Sequence, residues 1–426
     1  MKIKFLSVIL ALSMLSAVLS FGEETPVYTV IKGGTIIPVV GEKIPDGTIV
    51  IKDTLIHAVG LDVPAPEGAV IFDAKGKYVY PGMIDSSCVL GLQEISMVRS
   101  TVDYRETGRF NPQVKAVEAI WPESMHIPIA RSNGITAVVL TPSGSFIGGQ
   151  CGLIQLNGWI PNEMVVKESL AMMVSFPPLP RGRRGDQDRE RPQTKKILEE
   201  LKDIFEEARF YQKRKKASKE NPALPPPDFD EKMENMLPVI NGELPLYISV
   251  QSAADIKAAI ELVKKEEIRA IFLGAHEAWK VAKEIKESGI PLVFGSLYEL
   301  PVYWEDGYDA LYRNPRVMHE AGILFAFSSE SAASAKDLPY HAAKAAAFGL
   351  DKKEALKGVT INPARIFGVE NLMGSLEKGK LANIVIADGD LLEFRTKIEK
   401  VFIAGKETDI STRYDELLKK YKKRYK

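Results

Sequence analysis

Between residues 27 and 59 apolar and polar positions alternate in short runs punctuated by glycine. Val27-Tyr28-Thr29-Val30-Ile31 precedes Gly33-Gly34, and Thr48-Ile49-Val50-Ile51-Lys52 and Leu55-Ile56-His57-Ala58-Val59 follow. A period of two broken by turn residues predicts antiparallel hairpins. The same texture returns at 382–387 and 398–403. Between these ends lie short apolar runs, among them Ala137-Val138-Val139-Leu140, Leu246-Tyr247-Ile248-Ser249-Val250, Ala270-Ile271-Phe272-Leu273, Leu292-Val293-Phe294 and Leu324-Phe325-Ala326-Phe327. Several are followed by helical periodicity, at 253–264, 277–287 and 341–347. Such alternation is the mark of a parallel α/β domain, and the four units beyond residue 240 amount to half a (β/α)8 barrel. The predicted architecture is a TIM-like α/β barrel over 79–365 with a small composite β-sandwich domain built from both chain ends, 23–78 and 366–410.

Composition narrows the partners. Forty-five per cent of the 426 residues are hydrophobic and 26% charged, which is ordinary for a globular chain. Fifty-six acidic residues balance 56 basic ones, so no global field draws nucleic acid to the surface, and no nucleic-acid partner is expected. Lys2 and Lys4 followed by an apolar run from Phe5 to Phe21 read as a secretory signal peptide over 1–22, which makes the expected location periplasmic or extracellular. The alternative is an uncleaved membrane anchor, the one route to a membrane in this reading. Removing 1–22 takes away two lysines, leaving 54 minus 56, a net charge of −2. Export would place Cys88 and Cys151 where a disulfide is permitted, and their pairing stays open.

Two segments stand out by charge. Residues 177–238 form a charged, proline-rich insertion: an arginine-rich loop at 181–192 with interleaved acids, a charged helix over about 193–218, and a stiff connector at Pro225-Pro226-Pro227. Residues 411–426 form a basic tail with Lys419, Lys420, Lys422, Lys423 and Arg424, read as a solvated helix end.

Candidate chemistry comes from motifs. Pro81-Gly82-Met83-Ile84-Asp85-Ser86-Ser87-Cys88-Val89 near the start, Asn111-Pro112-Gln113-Val114-Lys115-Ala116 and Ile147-Gly148-Gly149-Gln150 after it, and Thr360-Ile361-Asn362-Pro363-Ala364-Arg365-Ile366-Phe367-Gly368 with Gly374-Ser375-Leu376-Glu377-Lys378-Gly379-Lys380-Leu381-Ala382-Asn383 at the close resemble the amidohydrolase superfamily. The resemblance runs from Tyr28 to Lys406 and is closest to its imidazolonepropionase-like and prolidase-like branch. It implies a barrel that binds one or two divalent ions such as zinc. Histidines would stand at Ser87 and Val89 on the first strand, within Ile248-Ser249-Val250-Gln251 on the fifth and at Gly274 on the sixth, with an aspartate at Glu330 after the eighth.

None of the four expected histidines is present. A hydroxyl is a poor zinc ligand at neutral pH and valine offers no lone pair, so the expectation is no metal cofactor. His276, two positions past Gly274, lacks converging partners to make a zinc site. The remaining histidines, His57, His126, His319 and His341, read as structural or surface residues. Loss of the ion forfeits water activation worth on the order of 12 kcal/mol, against about 3 to 5 kcal/mol from one positioned general base. The expected site is therefore a polar pocket at the barrel mouth lined by Ser87, Ser249, Gln251, His276 and Glu330, with Glu330 the one candidate catalytic residue. Ligand binding, or pairing with an active amidohydrolase-like subunit, is the function that follows. The resemblance also implies self-association. A carbon-nitrogen hydrolase with unconventional residues, including a Ser87 or Cys88 nucleophile with His276 as base, is the alternative, and an envelope protein with a collapsed mouth is a third.

Overall fold

The computed structural model describes residues 27–144, 146–177, 192–301 and 303–425, so the expected signal segment and the arginine-rich loop up to Arg191 lie outside the described residues. Two eight-stranded sheets organise the chain. The first combines β1 (Tyr28–Ile36), β2 (Ile44–Lys52), β3 (Leu55–Gly60), β4 (Val70–Asp73) and β5 (Tyr78–Pro81) with β14 (Ile384–Ala387), β15 (Ile398–Ile403) and β16 (Lys406–Thr408). β14 pairs antiparallel with β5, so both ends of the chain meet in one sheet, as the alternating runs predicted. Ile31, Ile49, Ile51, Val79, Ile384 and Phe402 supply its core.

The second sheet is the barrel. Its order is sequential: β6 (Met83–Cys88), β7 (Ile135–Leu140), β8 (Ile147–Gln155), β9 (Val165–Ser175), β10 (Leu246–Val250), β11 (Ala270–Gly274), β12 (Leu292–Phe294) and β13 (Phe325–Phe327). The second half follows the expected strand and helix rhythm, with α4 (Ala253–Glu266) after β10, α5 (Ala282–Ser288) after β11, α6 (Ala310–Glu320) after β12 and α7 (Leu338–Ala347) after β13.

The first half departs from strict (β/α)8 order, because β8 runs antiparallel to both neighbours. Its connections, residues 141–146 and 156–164, are shorter than the dozen or so residues that a parallel crossover needs. Further along, α1 (His126–Arg131) precedes β7, and α2 (Pro192–Glu220) with α3 (Glu231–Ile240) bridges β9 to β10. The charged helix expected over 193–218 buries Ile197, Leu201, Phe205 and Ala208 along one face, so it belongs to the barrel's outer layer.

Gly82 shows why the strand-opening motif needs glycine. A Cβ there would lie 2.1 Å from Thr136 Oγ1 on β7. Below the mouth the barrel interior is apolar: Ile84, Val139, Leu153, Met173, Tyr247, Leu273, Val293 and Ala326 pack against α9 (Ile361–Ile366) and Phe367, and the Tyr247 and Phe367 rings meet edge to face at 5.6 Å. The closing motif thus plugs the bottom of the barrel. The seam between β6 and β13 is laced by Gly358 and Val359, whose carbonyls accept from Phe327 N–H at 2.9 Å and Ile84 N–H at 2.8 Å. Cys88 and Cys151 are both free and buried, Cys88 packing with the outer core and Cys151 with the barrel interior, so no disulfide joins them.

Candidate functional site at the barrel mouth

The parallel strands direct their C-terminal ends to one face, where Ser249 and Gln251 stand at the end of the fifth strand, His276 follows the sixth and Glu330 follows the eighth. Ser87 does not line an open pocket. It is 3% exposed, its N–H donates to Asp85 Oδ1 at 3.3 Å, and its carbonyl accepts from Glu330 N–H at 2.9 Å. Val89, at the second first-strand position, is buried in the outer core.

The floor is organised by Asp85, a residue read from sequence only as part of the motif. Its side chain is fully buried. Oδ1 accepts from Ser329 N–H at 3.0 Å, and Oδ2 hydrogen-bonds the Ser329 hydroxyl. One carboxyl group therefore ties the first strand to the loop after the eighth. Burial pushes its pKa up to about 7 against the pull of those hydrogen bonds, and Glu330 adds to the rise. Beside it, Tyr247 Oη donates to the Ser86 carbonyl at 3.1 Å, and burial drives this phenol well above its ordinary pKa.

Glu330 is the charged group at the mouth itself. Its backbone takes the left-handed conformation, φ 57°, immediately after the serine that Asp85 holds. Its Oε2 accepts from Ser296 N–H at 3.1 Å. The side chain is solvent-accessible while its carboxyl end is crowded by the strand ends. Crowding raises the pKa, the Ser296 N–H opposes the rise, and Glu299 adds to it. Water at the exposed edge tempers the shift. Gly295 makes the arrangement possible, since a Cβ there would stand 2.4 Å from Glu330 Oε2. Gly295→Ala is expected to swing the carboxylate off Ser296 and cost about 1 to 3 kcal/mol in urea unfolding, with Gly295→Ser no better.

The fifth and sixth strands contribute Ser249, Gln251 and His276. Ser249 is half-buried, with its carbonyl accepting from Phe176 N–H at 3.2 Å. Gln251 stands beside Gly274: a Cβ on that glycine would reach 3.9 Å from Gln251 Cγ. The chain turns there through two left-handed residues, Gly274 at φ 88° and Ala275 at φ 45°. His276 follows, half-buried, and Asn314 Nδ2 fixes the turn by donating to the carbonyls of Ala275 and His276, each at 3.1 Å.

A second tether escaped the sequence reading. Glu277, 2% exposed, accepts from Ala253 N–H at the start of α4 at 2.9 Å and from Lys280 Nζ at 2.6 Å. Lys280 also reaches Asp306 at 2.9 Å, and its ammonium lies over the rings of Trp279 and Tyr303. The loops after the fifth, sixth and seventh strands are thereby locked together. Next to His276, it is Glu277 that ties these loops together.

The residues do not fit the zinc that the resemblance implies. Zinc takes imidazole, thiolate or carboxylate donors, and the ligand positions present a buried serine, a core valine, the neutral oxygens of Ser249 and Gln251, a glycine and the single carboxylate of Glu330. Among the described residues no group of three or more histidine, cysteine, aspartate or glutamate side chains is placed to hold an ion. The other histidines play other parts. His57 is exposed, His126 Nε2 meets the Glu94 carbonyl at 3.2 Å, His319 is a surface residue near Glu354, and buried His341 accepts from Leu297 N–H at 3.1 Å.

Residues 305–408 match the family model described as "Amidohydrolase family". Amidohydrolase tasK of Hapsidospora irregularis is 22% identical over 391 residues, covering 84% of this chain, and the chain spans only 39% of that protein's length. An amidohydrolase from Thermotoga maritima MSB8 superposes with a TM-score of 0.79 at 25% identity, over 89% of this chain and 99% of that one. A prolidase solved with N-methylphosphonate-L-proline superposes at 0.53 with 16% identity, over 90% and 99% of the two chains, a likeness of fold alone. The matched closing segment, the barrel and its composite sheet agree, and the chain belongs to the amidohydrolase superfamily.

Proposed function

We propose that this protein is an exported superfamily member that has given up its metal site and works by binding a small molecule at the barrel mouth, or by pairing with an active amidohydrolase-like subunit. The donor set at the strand ends supports the reading. Glu330 is the one charged side chain kept at a ligand position, and one carboxylate among neutral oxygens does not make a zinc site. Nor does the buried floor supply a nucleophile. The Cys88 thiol is fully enclosed and driven well above its ordinary pKa, so thiolate is scarce, and Ser87 lies beneath the Glu330 backbone. Ile95, Met97, Leu300 and Tyr308 stand exposed on the loops that leave β6 and β12, apolar surface suited to a covering ligand or subunit.

The carbon-nitrogen hydrolase reading is favoured by one observation, a solvent-accessible Glu330 with a raised pKa that would suit a general base. One experiment separates the two. Cyclic amides and proline-containing dipeptides are tested for thermal stabilisation and for hydrolysis, with and without added zinc or manganese. The proposal expects at least one class to stabilise the protein without turnover, and Glu330→Gln to weaken that binding about tenfold. Turnover that disappears in Glu330→Gln would restore the hydrolase.

A further inference from the structure

The last helix, α10 (Arg413–Lys422), buries none of its residues. Its start is nevertheless well specified by its own sequence. The Thr412 hydroxyl accepts from Asp415 N–H at 3.4 Å and the Asp415 carboxylate accepts from Thr412 N–H at 2.8 Å, a reciprocal cap. The helix start is therefore set by local contacts, and the helix meets the body lightly, with Leu417 half-buried and the Arg413 guanidinium 4.0 Å from Met125 Sδ.

Its composition is not that of a helix meant for water on every side. Tyr414, Leu418 and Tyr421 recur at i, i+4 and i+7, one stripe of a 3.6-residue period, and are 60%, 53% and 51% exposed. Cations occupy the rest of the surface: Arg413, Lys419, Lys420, Lys422, Lys423 and Arg424 against Asp415 and Glu416. Six minus two gives +4 over 413–425, in a chain whose total charge is zero.

We propose that α10 is an interfacial helix that lays the Tyr414, Leu418 and Tyr421 stripe into the headgroup region of an anionic bilayer, with its lysines on the lipid charges. The local +4 is complementary to such a surface and to little of this neutral molecule. Tyrosine suits the interface because its ring is apolar and its hydroxyl stays wet, and lysine stems cover apolar surface while their ammonium groups reach outward. Each basic side chain near an anionic leaflet strengthens the attraction. A polyanion without an apolar phase would leave the stripe in water. A protein partner would favour a patch depleted of charge at its centre, and here cations border the stripe closely. No helix of the described residues is long and apolar enough to cross a membrane, so the contact lies in the plane of the surface.

The test is co-sedimentation of the full chain with phosphatidylcholine vesicles, alone or with about one-third phosphatidylglycerol. Two variants accompany the wild type: Tyr414→Ser/Leu418→Ser/Tyr421→Ser, and Lys419→Gln/Lys420→Gln/Lys422→Gln/Lys423→Gln. Wild type is expected to bind the anionic vesicles at least about tenfold more tightly than the neutral ones, and each variant to lose about tenfold or more. Both variants keep the wild-type unfolding transition, because α10 buries nothing. Equal binding to both vesicles, or variants that bind like wild type, would assign any membrane contact to another segment such as residues 1–22 and overturn the proposal. A lipid-free dimer that the serine variant dissolves in ultracentrifugation would overturn it too, by giving the stripe to a second copy.

Discussion

Asp85→Asn should become steadily more stable relative to wild type as pH rises from 4 to 7, by roughly 4 kcal/mol in total, in urea unfolding measured at unit steps of pH. The expectation follows from a fully buried carboxyl whose pKa is pushed up to about 7 in the folded protein, against an ordinary value of 3.8. Between those values the folded state holds a proton that the unfolded state has released. Wild-type stability contributed by this group is complete below pH 3.8 and falls as the pH climbs to about 7. Asparagine keeps the shape, can accept from Ser329 and Ser87 N–H and can donate to the Ser329 hydroxyl, yet has nothing to titrate. Asp85→Ala removes the partners altogether and should cost about 3 kcal/mol or more at pH 4, because two buried N–H groups and a hydroxyl lose their acceptor, and that cost shrinks toward pH 7 because alanine likewise has nothing to titrate.

The second large effect runs the other way. His341 is buried, its Nδ1 accepts from Leu297 N–H, and burial pulls its pKa down to about 4 from 6.5, with Asp337 opposing. The folded state keeps it neutral while the unfolded state takes a proton, so its contribution is present above pH 6.5 and is lost as the pH falls to about 4. That loss is about 3 kcal/mol. Between pH 4 and 6.5 the slopes of Asp85 and His341 have opposite signs and nearly cancel. Asp85→Asn should expose a stability that rises with pH, and His341→Gln one that falls with pH. A His341→Gln curve parallel to wild type across this window would show that the imidazole is not held neutral.

These two groups also show where sequence reading stops. The barrel, its composite sheet and its closing motif were legible because they rest on local periodicity and on glycine at fixed turns, which the chain states directly. The antiparallel course of β8 was written in its short connections, but apolar runs of equal length hide strand direction. At the site, Glu330 and the residues that stand where the resemblance expects histidines are visible in residue type alone. Asp85, Asn314 and Glu277 were not, since their partners lie on distant loops and helix starts: Ser329 is 244 positions from Asp85, and Ala253 is 24 from Glu277. Ser87 is placed at the mouth by the resemblance alone, which says nothing of the Glu330 backbone that covers it. The basic segment at 411–426 was read as solvated from its lysines, and only the exposure of Tyr414, Leu418 and Tyr421 reveals an unburied stripe.

On the proposed reading, the superfamily's barrel persists here without a metal centre. Metal content decides it most directly: the protein is purified without tag or chelator after growth with added zinc and manganese, and its bound ions are counted by mass spectrometry. The ligand positions described above predict no ion above background, and Ser87→Ala and Glu330→Gln should match wild type. About one tightly held ion per chain, lost in Glu330→Gln, would contradict the account and return the barrel to the metal-dependent hydrolases.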